Sequence, residues 1–238
     1  MNDGRIFLVA DLHTPHFIKK VLNSNFVKKY NINSKDYIII LGDTGLLSSN
    51  KITSEEKYIH RYLDDKPFTT LFIDGNHDNI NIINNLDQIK LFDSIVGKLS
   101  DKIFHLHRGC IYNILNKNIL TIGGAFSIDY IHRRQDLNWW KDEILSPTDR
   151  SLILCNTKYK YDYILSHDCP LHVIKLMHKR GYEICNIYGH HTNKFLDDIY
   201  SISKNKDNFK HWYFGHYHYD IDRLSVHFSS IFREIKIL

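Results

Sequence analysis

Five short polar runs in this chain carry side chains that ligate metals or move protons. They are Asp11-Leu12-His13, Gly42-Asp43, Gly75-Asn76-His77-Asp78, Ser166-His167-Asp168 and Gly215-His216-Tyr217-His218. Each directly follows an apolar run suited to a buried strand, and open α/β sheets present their active sites off the C-terminal ends of such strands. Together the runs supply two carboxylates, Asp11 and Asp43, the amide of Asn76, and the imidazoles of His13, His167, His216 and His218. A mixed nitrogen and oxygen set without thiolate suits Mn²⁺, Fe or Zn²⁺. These seven side chains are too many for one ion. Two ions ~3.5–4 Å apart, bridged by one carboxylate, would use them all, lower the pKa of a water between them and clamp the oxygens of a phosphoryl group. Asp-x-His at 11 and 13, and His-x-His at 216 and 218, put both side chains on one face if the segment is extended.

Strands and helices must bring these runs together. Residues 5–10 read as a buried strand, followed by Thr14-Pro15 as a cap and first-turn proline, then one amphipathic helix through Phe17, Ile18, Val21, Leu22 and Phe26. Residues 37–41 and 69–73 are further buried strands, separated by a helix opening at Ser54-Glu55-Glu56. The order is therefore β-α-β-α-β. A short helix is expected over 86–92, and strands over 103–107, 111–115 and 119–122, with Asn116-Lys117-Asn118 as a hairpin turn. Residues 127–140 have no clean period and read as a loop or cap over the site. A helix starts at Ser146-Pro147, a strand covers 161–165, and helices cover 171–180 and the stripe of Phe195, Leu196, Ile199 and Ile202. The strand over 211–214 delivers the last motif, and two final runs, 224–228 and 231–238, are expected to form an antiparallel end. Without repeat, linker or boundary, residues 1–238 read as a single domain with a cap or loop insertion around 125–145.

The chain has 238 residues, enough for a sizeable core. A net charge of +4 without a basic block is too mild for an extended nucleic-acid footprint. Its 4 cysteines have no paired spacing, which argues against a disulfide framework and points to a reducing cytoplasm. No stretch approaches the ~18 apolar residues of a membrane span, and no secretory signal is expected.

Taken in order, the five motifs resemble the calcineurin-like metallophosphoesterase superfamily, over residues 11–218. The resemblance implies an α/β fold: a four-layer αββα sandwich of two mixed sheets flanked by helices, with a two-metal site above the sheet ends. It implies one ion held by Asp11, His13, Asp43 and His218, with Asp43 bridging to a second held by Asn76, His167 and His216. Mn²⁺ is the first choice of metal. His77 would be the catalytic histidine beside the leaving group, with Asp78 hydrogen-bonded to it. The run Gly42-Asp43-Thr44-Gly45-Leu46-Leu47 departs from the Asp or Asn that many relatives carry three residues after the aspartate, and speaks against the phosphoprotein phosphatase branch. Arg108-Gly109 and the stretch from Gly123-Gly124 to Trp139-Trp140 look similar to bacterial and phage-type members, which fixes no substrate.

The expected activity is two-metal-dependent hydrolysis of a phosphate mono- or diester, with a small nucleotide-like substrate, by a metal-bridging hydroxide attacking phosphorus. Alternatives are a nuclease acting on nucleic acid, or a non-catalytic scaffold binding a protein. Arg108 and Arg133, or its neighbour Arg134, are candidates to clamp the phosphate, and Trp139 and Trp140 to stack a base. His105, His107, His190 and His191 share no motif and are expected to be structural or exposed, and His16 to be structural or at the pocket edge.

Overall fold

The computed structural model describes residues 3–238; Met1 and Asn2, which the single-domain reading includes, lie outside the described residues. The first half alternates strands and helices: β1 (Ile6–Val9), α1 (Pro15–Val21), α2 (Ser24–Tyr30), β2 (Tyr37–Leu41), α3 (Ser54–Asp64) and β3 (Thr69–Ile73). A single turn of helix, α4 (Ile80–Ile83), leads into β4 (Asp87–Leu91), β5 (Ser94–Lys98), β6 (Ile103–Leu106), β7 (Ile111–Ile114) and β8 (Lys117–Ile122). The remainder is α5 (Pro147–Asn156), β9 (Tyr163–Ser166), α6 (Leu171–Lys179), α7 (His191–Asn205), β10 (His211–Phe214), β11 (Phe228–Ser230) and β12 (Lys236–Ile237).

The strands form two mixed sheets. A seven-stranded sheet runs β12-β1-β2-β3-β6-β5-β4, and a five-stranded sheet runs β11-β10-β9-β8-β7. In the first, β1, β2, β3 and β6 are parallel; in the second, β8 to β11 are. Side-chain alternation explains the layering. Phe7 and Val9 of β1 pack with Ile18, Leu22, Ile59 and Leu63 of the helices on one side. Ile6, Leu8 and Ala10 face the other way, onto Tyr112, Ile114, Ile119 and Leu165 of the second sheet. That sheet turns Leu120, Ile164, Trp212 and Phe214 outward onto Ile153, Ile174, Met177 and Ile199 of α5, α6 and α7. Because both sheets are covered on both faces, their strands are nearly continuous apolar runs. Helix starts are set locally. Thr53 with Glu56, and Ser146 with Asp149, form reciprocal capping boxes, and Thr14 accepts from the Phe17 amide ahead of Pro15.

Four local expectations are corrected. The helix expected over 86–92 is strand β4, paired antiparallel with β5 through a two-residue turn at Phe92-Asp93. It is an edge strand in which only Ile89 and Leu91 turn towards the core while Gln88 and Lys90 face water, an alternation too short to set a strand apart from a helical turn. The single helix expected from Phe17 to Phe26 breaks into α1 and α2, because Asn23 caps the second by accepting from the Phe26 amide. The hairpin turn lies at Leu115-Asn116, both with positive φ, while Lys117 and Asn118 already pair with β7. Finally, the two last strands do not pair with each other: β11 joins β10 in parallel and β12 joins β1 antiparallel, in different sheets. Among the described residues no helix is long and apolar enough to cross a membrane.

Candidate metal centre

The C-terminal ends of β1, β2 and β3 from one sheet meet those of β9 and β10 from the other, and all five motifs leave from these ends. Backbone bonds tie the exits together: Asp11 N–H donates to Gly42 O at 3.2 Å, His13 N–H to Asp43 O at 2.7 Å and Gly215 N–H to His167 O at 3.1 Å. The motifs are not extended. Asp11, His13, Asp43, His216 and His218 all have left-handed backbones, with φ of 53°, 55°, 48°, 69° and 57°. The expectation that 216 and 218 share a face of an extended segment is thus corrected: the curled backbone, not strand alternation, aims both rings. Such conformations are uncommon outside glycine, although Asp and His tolerate them better than most, and they concentrate at functional sites.

The seven expected ligands converge. His13 Nε2 lies 2.9 Å from His218 Nε2, which is 3.6 Å from Asp11 Oδ1. On the other side His167 Nε2 lies 3.4 Å from Asp43 Oδ1 and 3.1 Å from Asn76 Oδ1, and His216 completes that group. Asp43 faces both groups, since its Oδ2 is 3.8 Å from His13 Nδ1. His77 also approaches Asp43 Oδ2, at 3.8 Å, so it borders the cluster.

The donor set fits cations. His167 Nδ1 lies 2.8 Å from the Leu41 carbonyl, which can only accept, so Nδ1 carries hydrogen. Its Nε2 faces Asp43 Oδ1 and Asn76 Oδ1, both acceptors, so either a proton on Nε2 or a cation among the three atoms satisfies the arrangement. The electrostatics agree. Burial pushes the Asp11 carboxyl well up, with Asp43 adding to the rise against the pull of His167. Burial would raise Asp43 too, but His167, His77 and His13 hold it below the usual carboxylate range. Burial disfavours charge on His167, yet Asp43 and Asp11 outweigh it and lift that imidazole to about 10, as a site awaiting positive charge would. His216 is pushed down by burial to about 4, and burial also lowers His13 and His218, leaving neutral rings ready to ligate.

Two glycines make the approach possible. A Cβ on Gly42, at φ 81°, would run into the His167 ring, and one on Gly75 into the Asp43 carboxylate.

Other expected residues are placed differently. Asp78 does not bond His77. Its buried carboxylate accepts from Thr44 N, Thr44 Oγ1 (2.7 Å) and Gly75 N (2.9 Å), fastening the Asp43 loop to the Asn76 turn. Burial, then Asp43, raises its pKa to about 7. The partner of His77 is Arg133, whose Nη2 is 3.0 Å from Nε2 and Nη1 3.2 Å from Nδ1, while its Nε pairs with Asp129 at 2.9 Å. Burial lowers the His77 pKa, Asp43 opposing and Arg133 assisting, which favours the neutral ring.

Arg108 is no phosphate clamp. It is buried away from the cluster, donates to Asp74 at 2.7 and 2.9 Å, and spends its remaining hydrogens on the carbonyls of Asp142, Glu143 and Ile144 and on the Asp149 carboxylate at 3.4 Å. Trp140 is buried in the core beneath the first sheet, and neither it, Trp139 nor the exposed Arg134 borders the metal cleft. His105 is buried against Asp74, and His107 pairs with Gln88. His190, expected to be structural or exposed, instead lines the cleft, its ring stacked on Phe126 at 4.2 Å. His16 is exposed beside Phe17 and does not border the cleft.

Several supporting residues were not singled out from the sequence. Tyr217 donates to Asp168 at 2.7 Å and so braces the His216–His218 turn against the His167 strand end. Both flank ligands in the motifs, which is the one local sign of their role. Ser127 and Glu143, which reach Asn76 from distant sequence, carry no such sign.

The family model described as calcineurin-like phosphoesterase matches residues 4–220 of the chain. A search of curated proteins finds no match.

Proposed function

The chain belongs to the calcineurin-like phosphoesterase family, and on that premise we propose that it is a two-metal hydrolase of a phosphate ester, acting on a small nucleotide-like substrate. Members of the family typically bind divalent metals, and the His and Asp clusters here could hold them. Asp11, His13 and His218 would hold one ion, Asn76, His167 and His216 the other, and Asp43 both. Mn²⁺ is the proposed metal, with Fe or Zn²⁺ as alternatives suited to the same donors. When bound, such a pair lowers the pKa of water at the site and neutralises charge on phosphoryl oxygens.

The observation that carries the reading is the juxtaposition of Arg133 and His77 at the edge of the ligand cluster. A guanidinium fork binds phosphoryl oxygens bidentately. Held by Asp129, Arg133 lays both Nη atoms along the His77 ring, so a phosphoryl oxygen entering the cleft there would meet the guanidinium and the imidazole together. Asp78 acts at one remove, by keeping the loops of Asp43 and Asn76 in register. The cleft beyond them has a volume of about 390 Å³, with Phe126, Ile128 and Ile184 among its walls. That size and lining support a small organic ester over an extended duplex. Cys110, Cys155, Cys169 and Cys185 are all unpaired, which supports a reducing, cytoplasmic setting.

The test is hydrolysis of chromogenic phosphomonoesters, phosphodiesters and then nucleotides by Mn²⁺-loaded protein, with metal content measured on each preparation. His77→Ala is expected to lose about 10²–10⁴ in kcat with both ions retained, and Asp43→Ala to lose metal as well as turnover. Equal turnover by wild type and both variants would sink the mechanism.

A further inference from the structure

Asn76 is the one side chain in the cluster with two chemically different ends, and only its carbonyl oxygen can meet a cation. Its orientation has to be decided by something other than the metal. In the structure Asn76 Nδ2 donates to Ser127 Oγ at 3.0 Å. Ser127 in turn donates its hydroxyl to Glu143 Oε2 at 2.7 Å and its amide N–H to Glu143 Oε1 at 2.7 Å. All three residues are buried. A carboxylate offers only acceptors, so the Ser127 hydroxyl hydrogen is committed to Glu143, and Ser127 Oγ can present only lone pairs to Asn76. A reversed amide would set oxygen against oxygen at a buried position. The polarity of the chain therefore runs one way, and it leaves Asn76 Oδ1 facing His167 Nε2 at 3.1 Å.

Glu143 is itself held in place. Arg108 Nη2 donates to the carbonyls of Asp142 and Glu143, both at 3.1 Å, and Arg108 grips Asp74, two residues before Asn76. One buried arginine thus ties the strand end bearing the ligand to the segment bearing its support.

We propose that Ser127 and Glu143, on the segment joining β8 to α5, are positioning residues for the second metal ion: a hydrogen-bond relay that keeps the Asn76 carbonyl turned into the site. This rests on the reading of Asn76 as a ligand given above. Partners of this kind fix a ligand before the metal arrives, so their loss shows in affinity as much as in turnover. Replacing Glu143 by glutamine lets the amide donate as well as accept, so the Ser127 hydroxyl is free to turn towards Asn76 and the directional signal is lost.

The experiment is titration of metal-free protein with Mn²⁺, counting free ion by electron paramagnetic resonance, with thermal unfolding of each metal-free variant alongside. Ser127→Ala and Glu143→Gln are expected to bind the first ion as wild type does and the second about 10- to 100-fold more weakly. Ser127→Thr, which keeps the hydroxyl, is expected to restore the second site. Asn76→Ala serves as the benchmark for losing the ligand itself. If Asn76→Ala weakens the second ion and the relay variants do not, the relay is refuted while the ligand reading stands; if Asn76→Ala has no effect, the ligand reading fails. Equal weakening of both ions with a lower metal-free melting temperature would reduce Ser127 and Glu143 to a general structural role and overturn the proposal.

Discussion

At the scale of single residues, Asp43 and Arg133 show how position converts ordinary chemistry into function. Asp43 is surrounded by His167, His77 and His13, and so stays ionised despite being buried. Its two oxygens face different groups of side chains, so in the proposed centre one carboxylate would serve both ions. Arg133 has one pairing partner, Asp129, and keeps both Nη atoms against His77 in the cleft. Arg133→Ala is expected to lower kcat/KM by about thirtyfold, the equivalent of ~2 kcal/mol for a hydrogen bond to a charged group. Steady-state kinetics on the best substrate would check this, and no change would place the phosphate elsewhere. Arg108 is the instructive contrast. Both arginines look alike in sequence, but one is enclosed by Asp74 and three carbonyls, and so has nothing left to offer a substrate.

At the scale of elements, the site depends on strands that stop abruptly. Gly42 ends β2 with a φ of 81° and lies against His167, which has crossed from the other sheet to bond the Leu41 carbonyl. Gly42→Ala adds a strained backbone and a clash at one atom. It is expected to cost more than ~1 kcal/mol in stability and, if His167 is the ligand proposed above, to weaken Mn²⁺ binding, because that is the ring that must move. Calorimetry with and without Mn²⁺ would measure both effects. Much at this scale was legible in the sequence. Buried strands such as β3 and β10 announce themselves as apolar runs, and capping boxes at Thr53 and Ser146 mark helix starts. The edge strand β4 did not, because its alternation rests on Ile89 and Leu91 alone and two apolar residues cannot decide between strand and helix. The break between α1 and α2 was hidden for the opposite reason, since apolar spacing continues across Asn23 while the cap interrupts the backbone.

At the scale of the whole molecule, the segment after β8 is joined to the first sheet through a buried charge network of Asp74, His105 and Arg108. Burial works against the Asp74 charge, but Arg108 and His105 hold its carboxyl well below the usual range. A carboxylate depressed in the folded state stabilises above the ordinary carboxylate pKa, and the stabilisation is lost as pH falls through the folded value. Arg108→Met leaves that carboxylate buried without its main partner, at an expected cost of about 3–5 kcal/mol at pH 7. The gap in melting temperature from wild type is expected to narrow as pH falls, because burial without Arg108 raises the variant's Asp74, which takes up a proton while the wild-type carboxylate is still ionised. Melting curves across pH 3–7 would test it; a gap independent of pH would assign the loss to packing instead.

The sequence by itself determined the α/β class, the family and the seven side chains that gather at the strand ends. These are local facts, since each ligand sits directly after an apolar run and strand ends carry their neighbours with them. Only the tertiary structure decided which partners those side chains meet. Asp78 turned to Thr44 and not to His77, Arg133 and not Arg108 reached the cleft, and Ser127 with Glu143 came in from 51 residues away or more to hold Asn76. The physical reason is that hydrogen bonds between side chains distant in sequence depend on how two sheets and a cap segment stack, and residue spacing along the chain carries no record of that stacking.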